Sequence, residues 1–321
     1  MKDAWGRTIE YVRLSLTDAC NFCCPYCRPA EITPQSQHQL LSVDEWMTIL
    51  GAFHQVGVKA VRLTGGEPLL YPHIEELLAR IKQTGWFEDI SMTTNGSFLA
   101  PRAAKLKELG LNRVNISLDS LDSDAFTLCV GKANQLDSVL NGIQSAIDAG
   151  FTSVKINTVL SRHWTDDEVH DLLHYVETWP VIWRFIEYMP FQGDAFHGPT
   201  FDEWKAQLER VSGGILTENH GVYGFGPATY YNLPSGKEIG FIFSMSHSYC
   251  DTCNRVRLTS DGQMRLCLLR DDEADLVSLV LRGLSESELA SHIEWALQRK
   301  QERHDGATMD QPERPMWRIG G

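Results

Sequence analysis

Three cysteines lie close together near the N-terminus of this 321-residue chain, in the spacing Cys20-x3-Cys24-x2-Cys27. Three thiolates on one loop can hold three irons of a cubane iron–sulfur cluster and leave the fourth iron without a protein ligand. Such an iron can bind a small molecule and pass an electron to it, so the spacing predicts an enzyme rather than an electron carrier. A tetrahedral zinc site is the alternative. Cys23, inside the same run, is interpreted as a bystander because the spacing is complete without it.

A second group of cysteines lies in the C-terminal third, at Cys250, Cys253 and Cys267. The dipeptide Asp261-Gly262 is a hairpin signal that can bring the last of these thiols back toward the first two. The group predicts a second cluster with one open iron, to which a substrate could bind. The alternative is a zinc ion with His247 as its fourth ligand. Arg255 and Arg257 lie two residues apart on one face of the first hairpin strand and add two cations beside the thiols.

The composition argues against several classes of protein. The net charge of −13 is opposite to that of a nucleic-acid-binding surface. No apolar run reaches the ~18 residues that a membrane span needs, and the first residues lack the apolar core of a signal peptide. Eight cysteines without a secretion signal fit the reducing cytoplasm, where clustered thiols serve metal binding or catalysis more often than disulfides.

Strand-like and helix-like segments alternate along the first two thirds of the chain, which predicts an α/β fold with a parallel sheet. The strand candidates are Tyr11–Leu16, Ala60–Thr64, Asp89–Thr93, Arg113–Leu118, Ser153–Thr158 and Ile182–Tyr188. Capping boxes predict helix starts at Ser42, Thr165, Thr200 and Ser285. We expect the last of these helices to run to about Arg303, and no regular structure in residues 305–321, which show no periodicity. Six units are too few for a closed eight-stranded barrel. We therefore expect an incomplete, partly open TIM-like (β/α)6 barrel over residues 1–215. A small β-containing region over residues 216–321 would carry the second iron–sulfur cluster.

Each predicted strand carries polar residues on one face, which is unusual for parallel strands buried on both sides. Because helices cover the outer wall of a barrel, the polar face must line the lumen. The polar residues include Arg13, Arg62, Thr93, Lys155 and Arg184. Buried cations without a partner are costly, so the pattern predicts a polyanionic ligand. The alternative for single residues is a buried ion pair with Asp119 or Glu187.

A short glycine-rich segment, Gly65-Gly66-Glu67, follows the second predicted strand, at the end where barrel enzymes keep their chemistry. Glycines let a ligand approach the backbone closely, and Glu67 can accept a hydrogen bond from an ammonium group. A tight turn without a ligand is the alternative.

The two cysteine groups together, with the distal run Cys250-x2-Cys253-Asn254-Arg255-x-Arg257 and the terminal Gly320-Gly321, resemble a known family. It is the GTP 3′,8-cyclases of molybdenum cofactor biosynthesis, which are radical S-adenosylmethionine (SAM) enzymes. The resemblance extends from Arg13 to the last residue. It implies two [4Fe-4S] clusters, held by Cys20, Cys24 and Cys27 and by Cys250, Cys253 and Cys267, with SAM as cosubstrate.

The resemblance also implies roles for individual residues. SAM-binding positions are Tyr26, Gly66, Glu67, Ser117 and Met189, and GTP-contacting positions are Arg13, Arg62, Thr93, Lys155, Arg184, Arg255 and Arg257. Of these, Arg13, Arg255 and Arg257 would be catalytic. The implied reaction converts GTP to (8S)-3′,8-cyclo-7,8-dihydroguanosine 5′-triphosphate.

The implied partners are GTP, a low-potential electron donor and the next enzyme of the molybdenum cofactor pathway, with no nucleic acid and no membrane. A homodimer stays an open alternative, as do a metal-containing scaffold that only binds a partner and a radical enzyme acting on another anion. For Gly320-Gly321 the alternatives are a frayed terminus and a tail threaded toward the active site.

Overall fold

The computed structural model describes residues 1–28, 39–189, 198–221, 223–304 and 314–320. The elements of the first part of the chain are β1 (Tyr11–Ser15), α1 (Val43–Gln55), β2 (Ala60–Thr64), α2 (Ile74–Thr84), β3 (Asp89–Thr94), α3 (Ala103–Glu108), β4 (Arg113–Ser117), α4 (Ser123–Val130), α5 (Leu136–Asp148), β5 (Ser153–Val159), α6 (Asp166–Thr178) and β6 (Ile182–Ile186). The later elements are α7 (Phe201–Ser212), β7 (Thr217–Asn219), β8 (Thr229–Asn232), β9 (Glu238–Ile242), β10 (Arg255–Leu258), β11 (Gln263–Arg265), β12 (Glu273–Asp275), α8 (Val277–Leu281), α9 (Glu286–Leu297) and α10 (Met316–Ile319).

The strands of the described residues form one twelve-stranded sheet in the order β12-β11-β10-β1-β2-β3-β4-β5-β6-β9-β8-β7. Strands β1 to β6 are parallel neighbours in chain order, as the alternation of strands and helices predicts. The two ends of the sheet are not paired with each other, so the barrel stays open. The predicted fold class, an incomplete barrel with a β-containing C-terminal region, is confirmed.

Strands from the C-terminal region extend both edges of the barrel. β10 pairs in parallel with β1, and β9 pairs in parallel with β6. In the first of these pairs Arg13 lies opposite Arg257. The two cysteine groups therefore flank adjacent strands of one sheet.

Local signals in the sequence place the elements well. Ser42, Thr165, Thr200 and Ser285 each begin a helix with a complete capping box. The hairpin predicted at Asp261-Gly262 is present between β10 and β11, and Gly262 has the positive φ of +79° that favours glycine.

Two expectations about the C-terminus are wrong. The last long helix, expected to continue to about Arg303, ends at Leu297. The chain turns there because Lys300 is drawn into the interior, where its ammonium group donates to the Leu266 carbonyl oxygen. The segment expected to lack structure contains the short helix α10, which buries Trp317 and Ile319. No helix within the described ranges combines the length and apolar character that crossing a bilayer requires.

Candidate active site

A cavity of about 230 Å³ lies at the polar face of the sheet. We call it the central cavity. Its lining contains most of the residues that the sequence singles out: Arg13, Cys20, Cys24, Tyr26, Cys27, Arg62, Gly66, Thr93, Ser117, Arg184, Met189, Arg255 and Arg257. Five of these are arginines. The structure thus brings the first cysteine group and a cluster of cations into one chamber.

The second cysteine group lies in an adjoining cavity of about 50 Å³, which we call the small cavity. Cys250, Cys253 and Cys267 all line it, with Lys300 and His304. The residues that line both cavities, and so separate the two cysteine groups, are Met189, Tyr249, Arg255, Arg257 and Leu268. A ligand in the central cavity therefore has a cysteine group on each side.

The loop of the first cysteines is fixed by its own backbone and by one buried arginine. The amide nitrogen of Cys27 donates to the carbonyl oxygen of Cys24 over 2.9 Å. The Arg28 guanidinium, 2% exposed, donates to the Phe22 carbonyl oxygen and to the Cys23 sulfur, at 2.7 Å each. Cys23 is thus held within the loop, and it is absent from the lining of the central cavity.

Glycine is required where the loop after β2 meets the cysteine loop. A Cβ atom on Gly66 would lie 2.3 Å from the carbonyl oxygen of Ala19, and one on Gly65 would lie 2.4 Å from that of Thr17. The amide nitrogen of Gly66 donates to the Thr17 carbonyl oxygen over 2.7 Å. The two loops therefore pack backbone to backbone, with no space for a side chain between them.

Glu67 does not line the central cavity. Its carboxylate accepts hydrogen bonds from the amide nitrogens of Leu69 (3.0 Å) and Asn95 (2.7 Å) and from the Thr94 hydroxyl (2.8 Å). Burial raises the pKa of Glu67 to about 7. These contacts connect the loop after β2 to the end of β3, and acceptance from an ammonium group stays a prediction.

Burial disfavours ionisation of the thiols of the first group. Burial raises the pKa of Cys20 to about 11 and that of Cys27 to about 12. Burial also raises the pKa of Cys24, and the nearby carboxylate of Asp119 adds to the effect. Because metals bind thiolates, loading of this group must release protons.

The second cysteine group has the opposite electrostatic surroundings. Burial opposes ionisation of Cys250, but hydrogen bonds from His304 and Ser248 outweigh it and lower the pKa to about 6. At Cys253 burial is likewise outweighed by nearby cations, chiefly Lys300 and Arg255, and the pKa is lowered. This group is therefore set up to carry negative charge.

His247, the expected fourth zinc ligand, lies elsewhere. Its ring packs on that of Phe201 with 4.5 Å between centroids, and it does not line the small cavity. His304 takes the place beside the cysteines instead. No spacing signal connects His304 to Cys267, so sequence reasoning missed it.

Within the described ranges, no three His, Cys, Asp or Glu side chains are close enough together to hold one metal ion. Each cysteine group supplies three thiols, which is the donor set of a cubane cluster with one open iron. A tetrahedral zinc ion would need four ligands around a single atom.

Burial and neighbouring charges disfavour the charged form of three of the five arginines of the central cavity, Arg13, Arg184 and Arg257. Burial, followed by the charge of Arg257, lowers the pKa of Arg13. Burial lowers the pKa of Arg184 and of Arg257 to about 10 in each case. Bound anions would relieve this cost. The Thr93 hydroxyl oxygen, buried in the same wall, has no hydrogen-bond partner among the described residues.

The two carboxylates considered as partners for these cations bind other groups. Asp119 accepts from the Tyr26 hydroxyl (2.7 Å) and from the amide nitrogen of Val159 (2.8 Å). Glu187 accepts from the amide nitrogens of Met245 and Ser246. Arg184 donates instead to amide oxygens of Asn157 (2.6 Å) and Asn115 (2.7 Å), which leave its charge uncompensated.

Lys155 is not among the residues that line the central cavity. Its ammonium group donates to the carbonyl oxygen of Tyr223 and lies 5.7 Å from the Tyr230 ring centroid. Burial, with the charges of Arg184 and Arg113, lowers the pKa of Lys155 to about 6. The structure thus does not bring Lys155 into the lining with the other predicted GTP contacts.

The C-terminal segment 314–320 reaches the central cavity. Met316 lines it, and the Gly320 carbonyl oxygen accepts a hydrogen bond from Arg257. Gly320 has φ +81°, and a Cβ atom there would lie 2.7 Å from the Thr64 hydroxyl oxygen. Only glycine fits this position. Gly321 lies outside the described residues.

Two family models match consecutive parts of the chain. The model of the radical SAM superfamily matches residues 14–176, and the model named Molybdenum Cofactor Synthesis C matches residues 181–306. Curated relatives match over the full length. The chain is 39% identical to the GTP 3′,8-cyclase of Heliobacterium modesticaldum, over all of both chains. It is 42% identical to that of Trichodesmium erythraeum, over 98% of this chain and 99% of the relative.

Solved structures with a similar fold are more distant in sequence. Streptococcus suis SuiB bound to S-adenosylmethionine superposes with a TM-score of 0.61 at 16% identity, over 88% of this chain and 68% of that one. HydG, a maturase of the [FeFe]-hydrogenase, gives a TM-score of 0.51 at 15% identity, over 66% of this chain and 51% of that one. At these identities the likeness concerns the fold alone.

Proposed function

The chain belongs to the radical SAM superfamily and, within it, to the GTP 3′,8-cyclase family. We propose that it converts GTP to (8S)-3′,8-cyclo-7,8-dihydroguanosine 5′-triphosphate, an early step of molybdenum cofactor biosynthesis. One observation carries the proposal. Two groups of three cysteines lie in adjoining cavities and share a wall that contains Arg255 and Arg257. A nucleotide in the central cavity would lie between them.

The first cysteine group would hold the [4Fe-4S] cluster that binds SAM, and the second group would hold another [4Fe-4S] cluster at the guanine. When bound, the first cluster supplies the electron that cleaves SAM to a 5′-deoxyadenosyl radical. Tyr26, Gly66, Ser117 and Met189 line the central cavity on the expected path of SAM. The backbone contact between Gly66 and the cysteine loop supports this assignment, because it holds Gly66 directly beside the loop that would carry the cluster.

The positions of the cations predict how GTP would be oriented in the central cavity. Arg13, Arg62 and Arg184 line the polar face of the barrel and would bind the triphosphate. Arg255 and Arg257 adjoin the small cavity and would hold the nucleoside against the second cluster. The Thr93 hydroxyl would take a phosphate or ribose oxygen as its missing partner. Lys155, which is not part of this lining, would act through its charge.

The reaction balances as an isomerisation of GTP coupled to reductive cleavage of SAM. The adenosyl radical removes the hydrogen atom from ribose C3′ and becomes 5′-deoxyadenosine, and methionine is the other fragment. The C3′ radical forms a bond to C8 of guanine. One further electron and a proton at the imidazole ring complete the dihydro product. A low-potential donor supplies both electrons.

The protein's own contribution is placement and exclusion of water. A radical that is generated away from its target reacts with the protein or with solvent, so the C3′ hydrogen must be held in reach before SAM is cleaved. The planar arginine groups would bind phosphate oxygens through two parallel hydrogen bonds and so fix the orientation of the triphosphate. Met316 lines the central cavity, and the Gly320 carbonyl oxygen accepts a hydrogen bond from Arg257, which also lines it.

We extend the proposal to organisation and partners. Residues 1–215 would form the SAM-cleaving barrel, and residues 216–321 would supply the second cluster, part of the GTP site and the Gly-Gly tail. The next enzyme of the cofactor pathway would take up the product in the cytoplasm. The net charge of −13 supports the absence of a nucleic-acid partner.

Anaerobic reconstitution of the full chain tests the proposal. We expect about eight irons and eight sulfides per chain, as two cubane clusters require, and a spectrum of the reduced protein that changes with GTP. Product analysis with GTP, ATP and carboxylate peptides then identifies the substrate. A protein that holds zinc, or that cleaves SAM with no cyclised nucleotide, would contradict the assignment.

A further inference from the structure

The N-terminal residues form a turn that lies against the second cysteine group. Lys2 and Thr8 form an isolated β-bridge, and Arg7 lies within the turn that it closes. The Arg7 guanidinium donates to the Asp3 carboxylate over 2.6 Å. The side chains of Arg7 and Asp3 are 8% and 0% exposed, so the pair is internal although it lies near the chain terminus.

The same guanidinium donates to backbone carbonyl oxygens of two distant segments. One partner is Cys250, at 2.9 Å. The others are Gln301 at 2.8 Å and Glu302 at 2.7 Å, in the segment 298–304 that follows α9 and that we call the strap. One side chain thus joins the N-terminal turn, the second cysteine loop and the strap.

Two further bonds hold the strap to the N-terminal turn. The Trp5 indole nitrogen donates to the Lys300 carbonyl oxygen over 2.9 Å, and the Gln298 amide donates to that of Lys2 over 3.1 Å. Four hydrogen bonds therefore join the strap to residues 2–7, which neither cysteine motif includes.

The strap matters because it brings two nitrogen donors to the small cavity. Lys300 and His304 both line it, together with the three distal cysteines. Hydrogen bonds and positive charge near thiolate ligands stabilise the negative charge of an iron–sulfur cluster. If the strap moved, the cluster would lose both donors and gain contact with solvent.

We propose that Arg7 is a positioning residue of the second cluster site: it holds the Cys250 loop and the strap together, so that Lys300 and His304 cover the cluster on the side away from the nucleotide. The proposal rests on the proposed function, in which the distal cysteines hold that cluster. Arginine suits the position because its planar group offers five donors in fixed directions. A lysine keeps the charge but cannot reach three separate segments with the same geometry.

The test compares three variants of the full chain with the wild type. Arg7→Gln removes the charge and most donors, and Arg7→Lys keeps the charge. Arg303→Gln is the matched control, because Arg303 also joins the strap to the cysteine loop, through Asp251 at 2.8 Å, but both side chains are more than half exposed.

The first readout is the alkylation rate of each cysteine by iodoacetamide before cluster assembly, followed by mass spectrometry. The second is the iron content and the GTP-dependent spectrum after anaerobic reconstitution.

The alkylation is measured at about pH 9.5, above the usual pKa of a free thiol, so that accessibility and not ionisation of the two distal thiols decides the rate. We expect Arg7→Gln to raise alkylation of Cys250 and Cys253 several-fold while the rates at Cys20, Cys24 and Cys27 stay unchanged. After reconstitution this variant should keep the first cluster and lose iron and the GTP response at the second. Arg7→Lys should be intermediate, and Arg303→Gln should match the wild type.

Equal alkylation rates in Arg7→Gln and the wild type would overturn the proposal, and so would a parallel increase at both cysteine groups, which indicates general unfolding. Should Arg7→Gln fail to fold, Arg7→Lys decides by the same comparison. A wild-type protein with only one cluster would refute the proposed function instead, and the alkylation pattern would still decide the role of Arg7.

Discussion

The two cysteine groups differ in the charges of their neighbours. Asp119 lies near Cys24 and raises its pKa further, after burial, whereas Lys300 and Arg255 lower that of Cys253 against burial. Ionisation of the thiol, which metal binding requires, is therefore opposed at Cys24 and favoured at Cys253.

Replacing Arg255 with alanine tests the role of the shared wall. The side chain lines both cavities, so its removal should weaken GTP handling and leave the first cluster assembled. The loss of one charge-assisted contact costs about 1.5–3 kcal/mol, which corresponds to a decrease of roughly tenfold to a hundredfold in kcat/KM for cyclisation. The control is Arg282→Ala, at an exposed position at the end of α8. Unchanged cyclisation kinetics in Arg255→Ala would contradict our placement of the residue.

The buried Lys155 predicts proton uptake on nucleotide binding. Its pKa is lowered to about 6 by burial and by neighbouring arginines, so it is mostly neutral at pH 8. A triphosphate compensates these arginines and raises the pKa of Lys155, so the complex binds more protons than the free protein. Affinity should then rise as pH falls from 8 toward about 6, and become constant below that.

Calorimetry in buffers of different ionisation enthalpy measures this uptake directly. We expect an uptake of up to about one proton per GTP near pH 7.5, since a single group titrates. This uptake should disappear in Lys155→Met. Uptake that persists in the variant would assign the proton to another group. Absence of uptake in the wild type would show that the triphosphate does not reach the charges around Lys155.

At the scale of elements, the contact between the loop after β2 and the cysteine loop is the most constrained part of the site. Gly66→Ala would place a Cβ atom 2.3 Å from the Ala19 carbonyl oxygen, so one loop must move. We expect a loss of stability of about 1–3 kcal/mol and reduced SAM binding, measured by thermal unfolding and by SAM titration of the reconstituted protein. The matched control is Gly226→Ala, where a Cβ atom would meet nothing within 4 Å. Equal behaviour of the two variants would mean that the loops do not pack this closely.

The elements themselves were largely predictable because their signals are local. Ala60–Thr64 is a strand with the predicted bounds, and the other five predicted strands differ by one or two residues at their C-terminal ends. The alternation of apolar and polar residues identifies both the strand and its inner face. The capping boxes identify helix starts for the same reason, since both partners lie within four residues.

The arrangement of the C-terminal strands was not predictable in the same way. No feature of Arg255–Leu258 indicates that it pairs in parallel with β1 rather than forming a separate small sheet. Glu67 is a similar case at the site, because its partners at Thr94 and Asn95 belong to another strand end. His304 and Arg7 were missed because their roles depend on contacts between the two ends of the chain.

At the scale of the whole molecule, the two termini converge on the site from opposite sides. The N-terminal turn packs on the second cysteine loop, and the C-terminal segment 314–320 reaches the central cavity. The chain has a net charge of −13, yet its lumen is lined by arginines. The cationic chamber is therefore an interior feature, and both ends of the described chain contact residues that line it or the adjoining small cavity.

Deletion of residues 314–321 tests whether the chamber depends on the C-terminal segment. It would remove Met316 from the lining and the Gly320 carbonyl oxygen from Arg257, together with the buried Trp317 and Ile319. Without that acceptor Arg257 loses its fixed orientation, so SAM cleavage should become uncoupled from cyclisation. We expect cyclised product to fall by at least about tenfold, as for the loss of one charge-assisted bond, while both clusters remain.

A single substitution separates the role of the tail in the site from its role in stability. Gly320→Ala keeps Trp317 and Ile319 but forces a side chain against Thr64 at a φ of +81°. We expect the same uncoupling, with an unfolding temperature close to that of the wild type, measured as the ratio of 5′-deoxyadenosine to cyclised nucleotide. If both variants form one 5′-deoxyadenosine per cyclised nucleotide, the tail does not orient Arg257. Its role would then be limited to covering the barrel.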